Sequence, residues 1–318
     1  MSNSVSSVTV VINGQTITLS PVSGQAGTWS ATAVAPAASS RNQANGYYPV
    51  SVTATYNTGT TTTVDDTHAT LGSSCRLVVK EKVAPTITIS KPAATNGAHL
   101  KVASQELEAT IVDNANGQSS GYSGVDLSTL SMVVSSVKLS TSYTIPSSSI
   151  TSTAVTGGYK VSANYSFADS DDWVLTVNCS DYDGNAAAAA TRSFEIDTDA
   201  PLLSLSAPAD DLHTASASVT VSGTTSDTGA GPVTVAISVD GTAYSTPTVT
   251  SGAFSDTVVL TSTGSHTITV TATDAAGNTT SISKTVWYSD AAPTITSVTL
   301  VPNPADGGAT YTITVEVS

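Results

Sequence analysis

The sequence is poor in most of the residues that chemistry, cross-linking and helix formation call for. Of 318 residues only two are cysteine, Cys75 and Cys179, far apart and in different repeat units, so no disulfide framework is expected. Lys and Arg total 10 against 24 Asp and Glu, a net charge of −14. Without clustered cations the chain has no grip on nucleic-acid phosphates, and an anionic membrane surface repels it. No apolar run approaches the about 18 residues of a membrane span, so membrane insertion is not expected either. Residues 1–25 hold no basic stretch followed by an apolar run, the signature of an export signal. No H-E-x-x-H, G-x-S-x-G, phosphate-loop or Cys/His zinc spacing occurs, and no catalytic residue is expected.

What remains is Ser, Thr, Val, Ala and Gly, a mixture rich in β-branched residues and short of the side chains that fill helices. The expected fold class is all-β. The length exceeds one comfortable core and predicts two to four domains.

Internal repeats set their arrangement. "VTATYNTGTTT" (Val52–Thr62), "VNCSDYDGNAA" (Val177–Ala187) and "VTATDAAGNTT" (Val270–Thr280) share one pattern. Alternating positions precede each turn: Tyr48/Val50/Val52/Ala54, Trp173/Leu175/Val177/Cys179 and His266/Ile268/Val270/Ala272. Period two with one apolar face predicts a half-buried strand, and D-x-x-G-N predicts a side-chain-capped hairpin turn. Upstream, "GTWSATAV", "GGYKVSAN" and "GAFSDTVV" predict a strand carrying a core aromatic, Trp29, Tyr159 or Phe254. Five alanines at 186–190 favour helix by propensity, but the repeat alignment places them at the start of a strand.

Ala-Pro starts at Ala84, Ala200 and Ala292 lie 116 and 92 residues apart, a spacing that fits β-sandwich domains of about 100 residues. They give four segments: 1–83, 84–199, 200–291 and 292–318. "VTVVINGQTITL" (Val8–Leu19) has the shape of "VAISVDGTAYS" (Val235–Ser245), so the first segment begins at the third strand, C, of the repeat. The last segment corresponds to Ala200–Ser226, strands A and B. Strand addition between copies of the chain is therefore expected, with 292–318 supplying the two strands that 1–83 lacks.

"SGVDLSTLSMVV" (Ser123–Val134), "VTATDAAGN" (Val270–Asn278) and the D-A-P-x-hydrophobic starts resemble bacterial immunoglobulin-like repeats. The resemblance is good from about residue 84 onward and weaker before it. It implies tandem immunoglobulin-like β-sandwich domains in a non-enzymatic protein of a phage or prophage tail, or a segment of a bacterial surface adhesin. The lack of an export signal favours the tail: a virion protein, extracellular after lysis. Its partners would be other copies, other particle proteins and a host-surface glycan.

No cofactor is required by the sequence, although Ca²⁺ has one candidate site. Asp197 and Asp199 in a linker, with Asp171 and Asp172, offer the hard oxygen donors that Ca²⁺ takes. The other linkers carry a single acid each, so the site is not expected to repeat. Asp181, Asn185, Asp274 and Asn278 are expected to serve their turns. "DDTH" (Asp65–His68) reads as a solvated loop, His266 as a packed corner residue, and His99 and His213 as surface residues. Cys179 is expected to be buried and inert, Cys75 to lie exposed. For a glycan, Arg41 and Tyr47 in "RNQANGYYP" and Tyr122 in "ANGQSSGYSG" (Ala115–Gly124) are the candidates.

Overall fold

Residues 4–93, 95–113, 121–169 and 171–317 are described by the structure, a computed structural model; six residues of the candidate loop, 115–120, fall outside them. No helix among these residues is long and apolar enough to cross a membrane. The chain forms two compact units, one of residues 1–98 and 102–196, the other of 99–101 and 197–318.

In the first unit, module one comprises β1 (Val5–Ile12), β2 (Gln15–Pro21), β3 (Trp29–Ser30), β4 (Tyr48–Tyr56), β5 (Thr61–Val64) and β6 (Arg76–Leu77). They make a single sheet in the order β3-β2-β1-β4-β5, with β6 also paired to β4. Asn13 and Gly14, at φ 49° and 76°, close the β1–β2 hairpin, the two positive φ values that a type I′ turn demands.

Module two adds β7 (Thr86–Lys91), β8 (Ala98–Leu100, of which residues 99 and 100 fall to the second unit), β9 (Ser104–Val112), β10 (Val125–Ser136), β11 (Thr141–Thr144), β12 (Thr151–Val155), β13 (Gly158–Ser166), β14 (Asp171–Asp181) and β15 (Ala190–Ile196). One sheet runs β12-β13-β9-β7, and the facing sheet contains β11-β10-β14-β15. Leu107, Ala109, Ile111, Met132, Val134, Val161, Leu175 and Val177 are fully enclosed between them. Phe167 packs edge-on against Trp173 and Phe194, each at 5.0 Å between ring centres. The alanine run is not helical: it is extended and enters β15 at Ala190.

In the second unit, module three comprises β16 (Leu202–Ala207), β17 (Leu212–Thr214), β18 (Ser218–Ser226), β19 (Thr234–Val239), β20 (Thr242–Ser245), β21 (Ala253–Val259), β22 (Gly264–Thr273) and β23 (Thr279–Tyr288). Its sheets run β16-β18-β21 and β17-β23-β22-β19-β20. The short β17 pairs parallel with β23, while the other pairs are antiparallel. The core is Val219, Val221, Val235, Ile237, Phe254, Val258, Ile268 and Val270. Of the three expected core aromatics only Phe254 is buried; Trp29 and Tyr159 are half-exposed. Beyond module three, β24 (Ile295–Val301) and β25 (Thr312–Val317) form a two-stranded hairpin with its apolar side chains exposed.

Tyr48, Trp173 and His266 occupy one structural position and do one job. Each is buried at the start of its strand, and each donates a ring proton to a loop carbonyl just upstream. Tyr48 Oη reaches Ala38 at 3.1 Å, Trp173 Nε1 reaches Ala168 at 3.3 Å, and His266 Nε2 reaches Ser262 at 2.9 Å. Three unlike side chains thus tether the same corner, as buried polar ring atoms must find partners.

Candidate metal centres

Modules two and three each gather three acids at the pole where the chain enters. The first acid stands four residues before the opening proline: Glu81 before Pro85, and Asp197 before Pro201. The second follows the strand that pairs with the module's first strand: Asp113 after β9, Asp227 after β18. The third opens the D-x-x-G-N turn: Asp181 and Asp274. Within each trio, one carboxylate oxygen per residue lies within 4.8 Å of the other two. Five of the six residues are buried, and Asp227 is half-buried.

The turn positions both the third acid and the first. Asn185 donates its backbone N–H to Asp181 Oδ1 at 2.8 Å, and its Nδ2 to Asp181 Oδ2 at 2.6 Å and the Glu81 carbonyl at 3.1 Å. In module three Asn278 repeats the pattern, with Nδ2 donating to Asp274 Oδ2 and to the Asp197 carbonyl, both at 2.9 Å. Gly184 and Gly277, at φ 91° and 90°, allow the turn to close beneath these amides. Asp197 also accepts from the amide of Ala230, and its carboxylate lies against Gly229, where a Cβ would meet it at 2.5 Å.

The electrostatics are those of acids gathered without a compensating cation. Burial, then the hydrogen bond with Asp181, pushes the Glu81 carboxyl up to about 7. Burial raises Asp113 and Asp227 as well. Burial works against ionisation of Asp181, but the Glu81 hydrogen bond and the Asn185 donors hold it below the usual carboxylate range. The second acid in each trio keeps a buried oxygen with no hydrogen-bond partner, Asp113 Oδ1 in one and Asp227 Oδ2 in the other. An unpaired buried oxygen is costly, and one carboxylate oxygen is left open at the same position in both modules.

Where one linker cluster was expected, buried acids gather in both modules. A single linker acid suffices for a trio, because the strand-end and turn acids complete it. Asp197 enters a cluster; the other three Ca²⁺ candidates lie elsewhere. Asp199 is exposed and gives only its amide, to Asp197 Oδ1 at 3.1 Å. Asp171 accepts from the Ser136 hydroxyl and from the Lys138 amide, and Asp172 is exposed. A legible signal existed: an acid four residues before Pro, paired with D-x-x-G-N in the same module. Module one lacks it, with Tyr56 and Thr60 in that turn.

The "DDTH" loop is occupied with itself. Asp65 accepts from the amide and hydroxyl of Thr67, and His68 Nδ1 accepts from the amides of Thr70 and Leu71. The glycan candidates are structural in their contacts. Arg41 stacks over the Tyr182 ring, 3.5 Å from its centre. Tyr47 donates to Asp66 Oδ2 at 2.9 Å beneath the guanidinium of Arg76. The Tyr122 carbonyl accepts from Asn42. Cys75, expected to be exposed, is buried, its carbonyl accepting from Val50. Burial pushes the Cys179 thiol up, as expected of an inert thiol.

Facing three- and five-stranded sheets, with the short β17 parallel to the last strand β23, define module three as an immunoglobulin-like sandwich, and module two repeats the two-sheet design. The chain is thus an all-β protein of tandem immunoglobulin-like domains. A family model described as "Glucodextranase, domain B" matches residues 201–289. No curated protein matches. Among solved structures, fibronectin(III)-like modules of Clostridium thermocellum CbhA share 15% identity over 64% of this chain and 93% of that one, with a TM-score of 0.40. A 1.5-MDa bacterial ice-binding adhesin shares 22% over 90% and 88%, with a TM-score of 0.32. Titin domains A168–A170 share 13% over 89% and 86%, with a TM-score of 0.38.

Proposed function

We propose that this chain is a non-enzymatic structural and adhesive segment whose modules are fixed at their entry poles by a divalent cation, Ca²⁺ by donor chemistry. The supporting observation is the acid trio built twice from the same three positions. Three carboxylates, bidentate in part, supply most of the six to eight oxygens Ca²⁺ takes, and nearby carbonyls and water complete the shell. Residues 1–83 dock on module two through Lys80, Glu81 and Asn42, so a cation at Glu81 stiffens that joint. The test is limited proteolysis of residues 78–86 with and without Ca²⁺. Protection by Ca²⁺ that is lost in Asp113→Asn supports the reading; identical cleavage in chelator and Ca²⁺ removes it.

The particle to which we assign it is a phage tail or tail-like particle, on the strength of the repeat resemblance, with a bacterial surface adhesin as the other setting. Antibody labelling of purified particles and of whole cells separates the two.

The assembly we assign is strand addition between copies. Among the described residues module one presents one sheet without a facing sheet, and an apolar groove of about 190 Å³ lies among Ile12, Ile17, Ala33, Val34 and Leu77. The β24–β25 hairpin exposes Ile295, Val298, Ile313, Val315 and Val317. Two strands alone do not make an independently stable unit, which suits this hairpin to completing another copy's sandwich. Deleting residues 292–318 and measuring mass in solution tests this: an unchanged assembly state removes it.

A further inference from the structure

Trp287 is an anomaly in a chain that holds three tryptophans. Trp173 is 3% exposed and serves the core; Trp287 is 42% exposed, on the outer side of β23. Tryptophan is costly to leave in water and is highly buried on average. Its ring is nevertheless held in a fixed plane. The register of β17 on β23 sets His213 opposite Trp287, and the two rings stack at 5.8 Å with 4° between their planes. Asp211, at the turn into β17 with φ 57°, accepts the indole N–H on Oδ1 at 2.9 Å. The same oxygen lies 3.7 Å from His213 Nε2. With its N–H satisfied, the indole offers only an apolar face.

Around these rings lies a shallow depression of about 570 Å³, bounded by Thr214, Thr263, Gly264, Tyr288 and Ser289. That is the size range of small-molecule sites. Its rim is hydroxyl and main chain, with no Lys or Arg, and Asp211 is the charge beside it. An anionic ligand is disfavoured by that carboxylate. A flat apolar ring, fixed hydroxyls and one carboxylate acceptor instead match a molecule with an apolar C–H face and a ring of hydroxyl donors.

We infer that the Trp287–His213–Asp211 cluster is a binding site for a neutral saccharide, one sugar face lying on the exposed rings and its hydroxyls donating to Asp211. This rests on the adhesive reading above and moves the glycan contact from Arg41, Tyr47 and Tyr122 to module three. The site differs from the cation sites in residues and in chemistry.

The experiment is saturation-transfer NMR and calorimetry on the full chain with neutral oligosaccharides of glucose, galactose and N-acetylglucosamine, in chelator so that the cation sites are silent. Binding is expected to weaken at least tenfold in Trp287→Ala, less in Trp287→Phe and Asp211→Asn, and not at all in Tyr122→Ala. Thermal melts of the variants show whether module three is still folded, and Trp287→Phe serves if the alanine variant is not. No neutral saccharide binding at millimolar concentration, unchanged binding in folded Trp287→Ala, or preference for a trimethylammonium ligand overturns the inference. Attachment to cells is scored separately: wild-type attachment that persists in Trp287→Ala overturns this site and leaves the adhesive reading standing.

Discussion

Strand β4 of module one and strand β22 of module three carry the same alternation and meet opposite fates. In module three His266 is 7% exposed, and Ile268, Val270 and Ala272 are 0% exposed. In module one the corresponding Tyr48 is buried, but Val50, Val52 and Ala54 are half-exposed. The flanking geometry is otherwise matched: Val8, Val10 and Ile12 pair beside β4 as Val235, Ile237 and Val239 pair beside β22. The difference is the opposing sheet. Module three folds β16, β18 and β21 over its apolar face, while module one has no such layer among the described residues. Alternation in sequence therefore encodes which face is offered for burial, and the partner layer decides whether burial occurs.

The largest test of that contrast uses one substitution at three matched positions. Val177→Ala and Val270→Ala remove two methyl groups from closed cores and are expected to cost about 3 kcal/mol each, from lost transfer energy plus a cavity. Val52→Ala, at a half-exposed site, is expected to cost less than about 1 kcal/mol. Local hydrogen exchange in β4, β14 and β22 reads each module separately, since one melting point is poorly defined for several domains. If Val52→Ala costs as much as Val270→Ala in the isolated chain, module one has a closed core in solution. If it does so only in an assembled form, a second copy supplies the missing layer.

The same contrast explains what was readable beforehand. Strand positions and turns were legible because period-two alternation and Asn13-Gly14 or Asp240-Gly241 are local; both turns have positive φ at both residues. The acid trios were not legible, because each draws one residue from a linker, one from a strand end and one from a turn. Asp113 and Asp227 carry no local signal at all, and only the packed sandwich sets them beside Asp181 and Asp274. Trp287 was unreadable for a similar reason: its partner His213 is 74 positions away and meets it only through a parallel pair. Helix propensity misleads at 186–190: Ala186 bridges to Ser180, Ala187 N donates to Cys179 O, and Ala190 opens β15.

Cation addition sharpens the contrast next, because among the described residues modules two and three have a trio and the sheet of module one has none. At a Ca²⁺ concentration 100 times its Kd, each occupied site is expected to add about 2.7 kcal/mol. Exchange should slow in β9 and β14 and in β18 and β22. In module one it should slow only near residues 78–83, which lead into Glu81. Asp113→Asn and Asp227→Asn should each abolish the effect in their own module alone. In chelator the same variants should be as stable as the wild type or more so, because a buried, raised carboxylate has been neutralised. A variant that destabilises equally in chelator and in Ca²⁺ assigns these acids to the turn network and not to a metal.

The smallest expected effect is in pH, at the corner position where the three modules differ in side chain. His266 Nδ1 lies 2.7 Å from Asp240 Oδ2, and Nε2 lies 2.9 Å from the Ser262 carbonyl. Both neighbours are acceptors, a setting that favours the doubly protonated ring. The hydrogen bond to Asp240 accordingly raises the His266 pKa above 6.5. A group raised on folding contributes stability that is complete below its unfolded pKa and lost as pH climbs through the folded value. Asp240 is lowered, first by the Thr267 amide and then by His266, so its own contribution fails only in acid, below about 4. As pH climbs from 6 through the folded value of His266, β22 of module three should therefore lose protection while β4 of module one, with Tyr48 at the corner, has no such titration. Exchange rates in β22 and β4 across that interval measure it, and His266→Tyr should flatten the module three profile. An equal pH slope in both modules would sink the assignment to His266 and place the titration elsewhere.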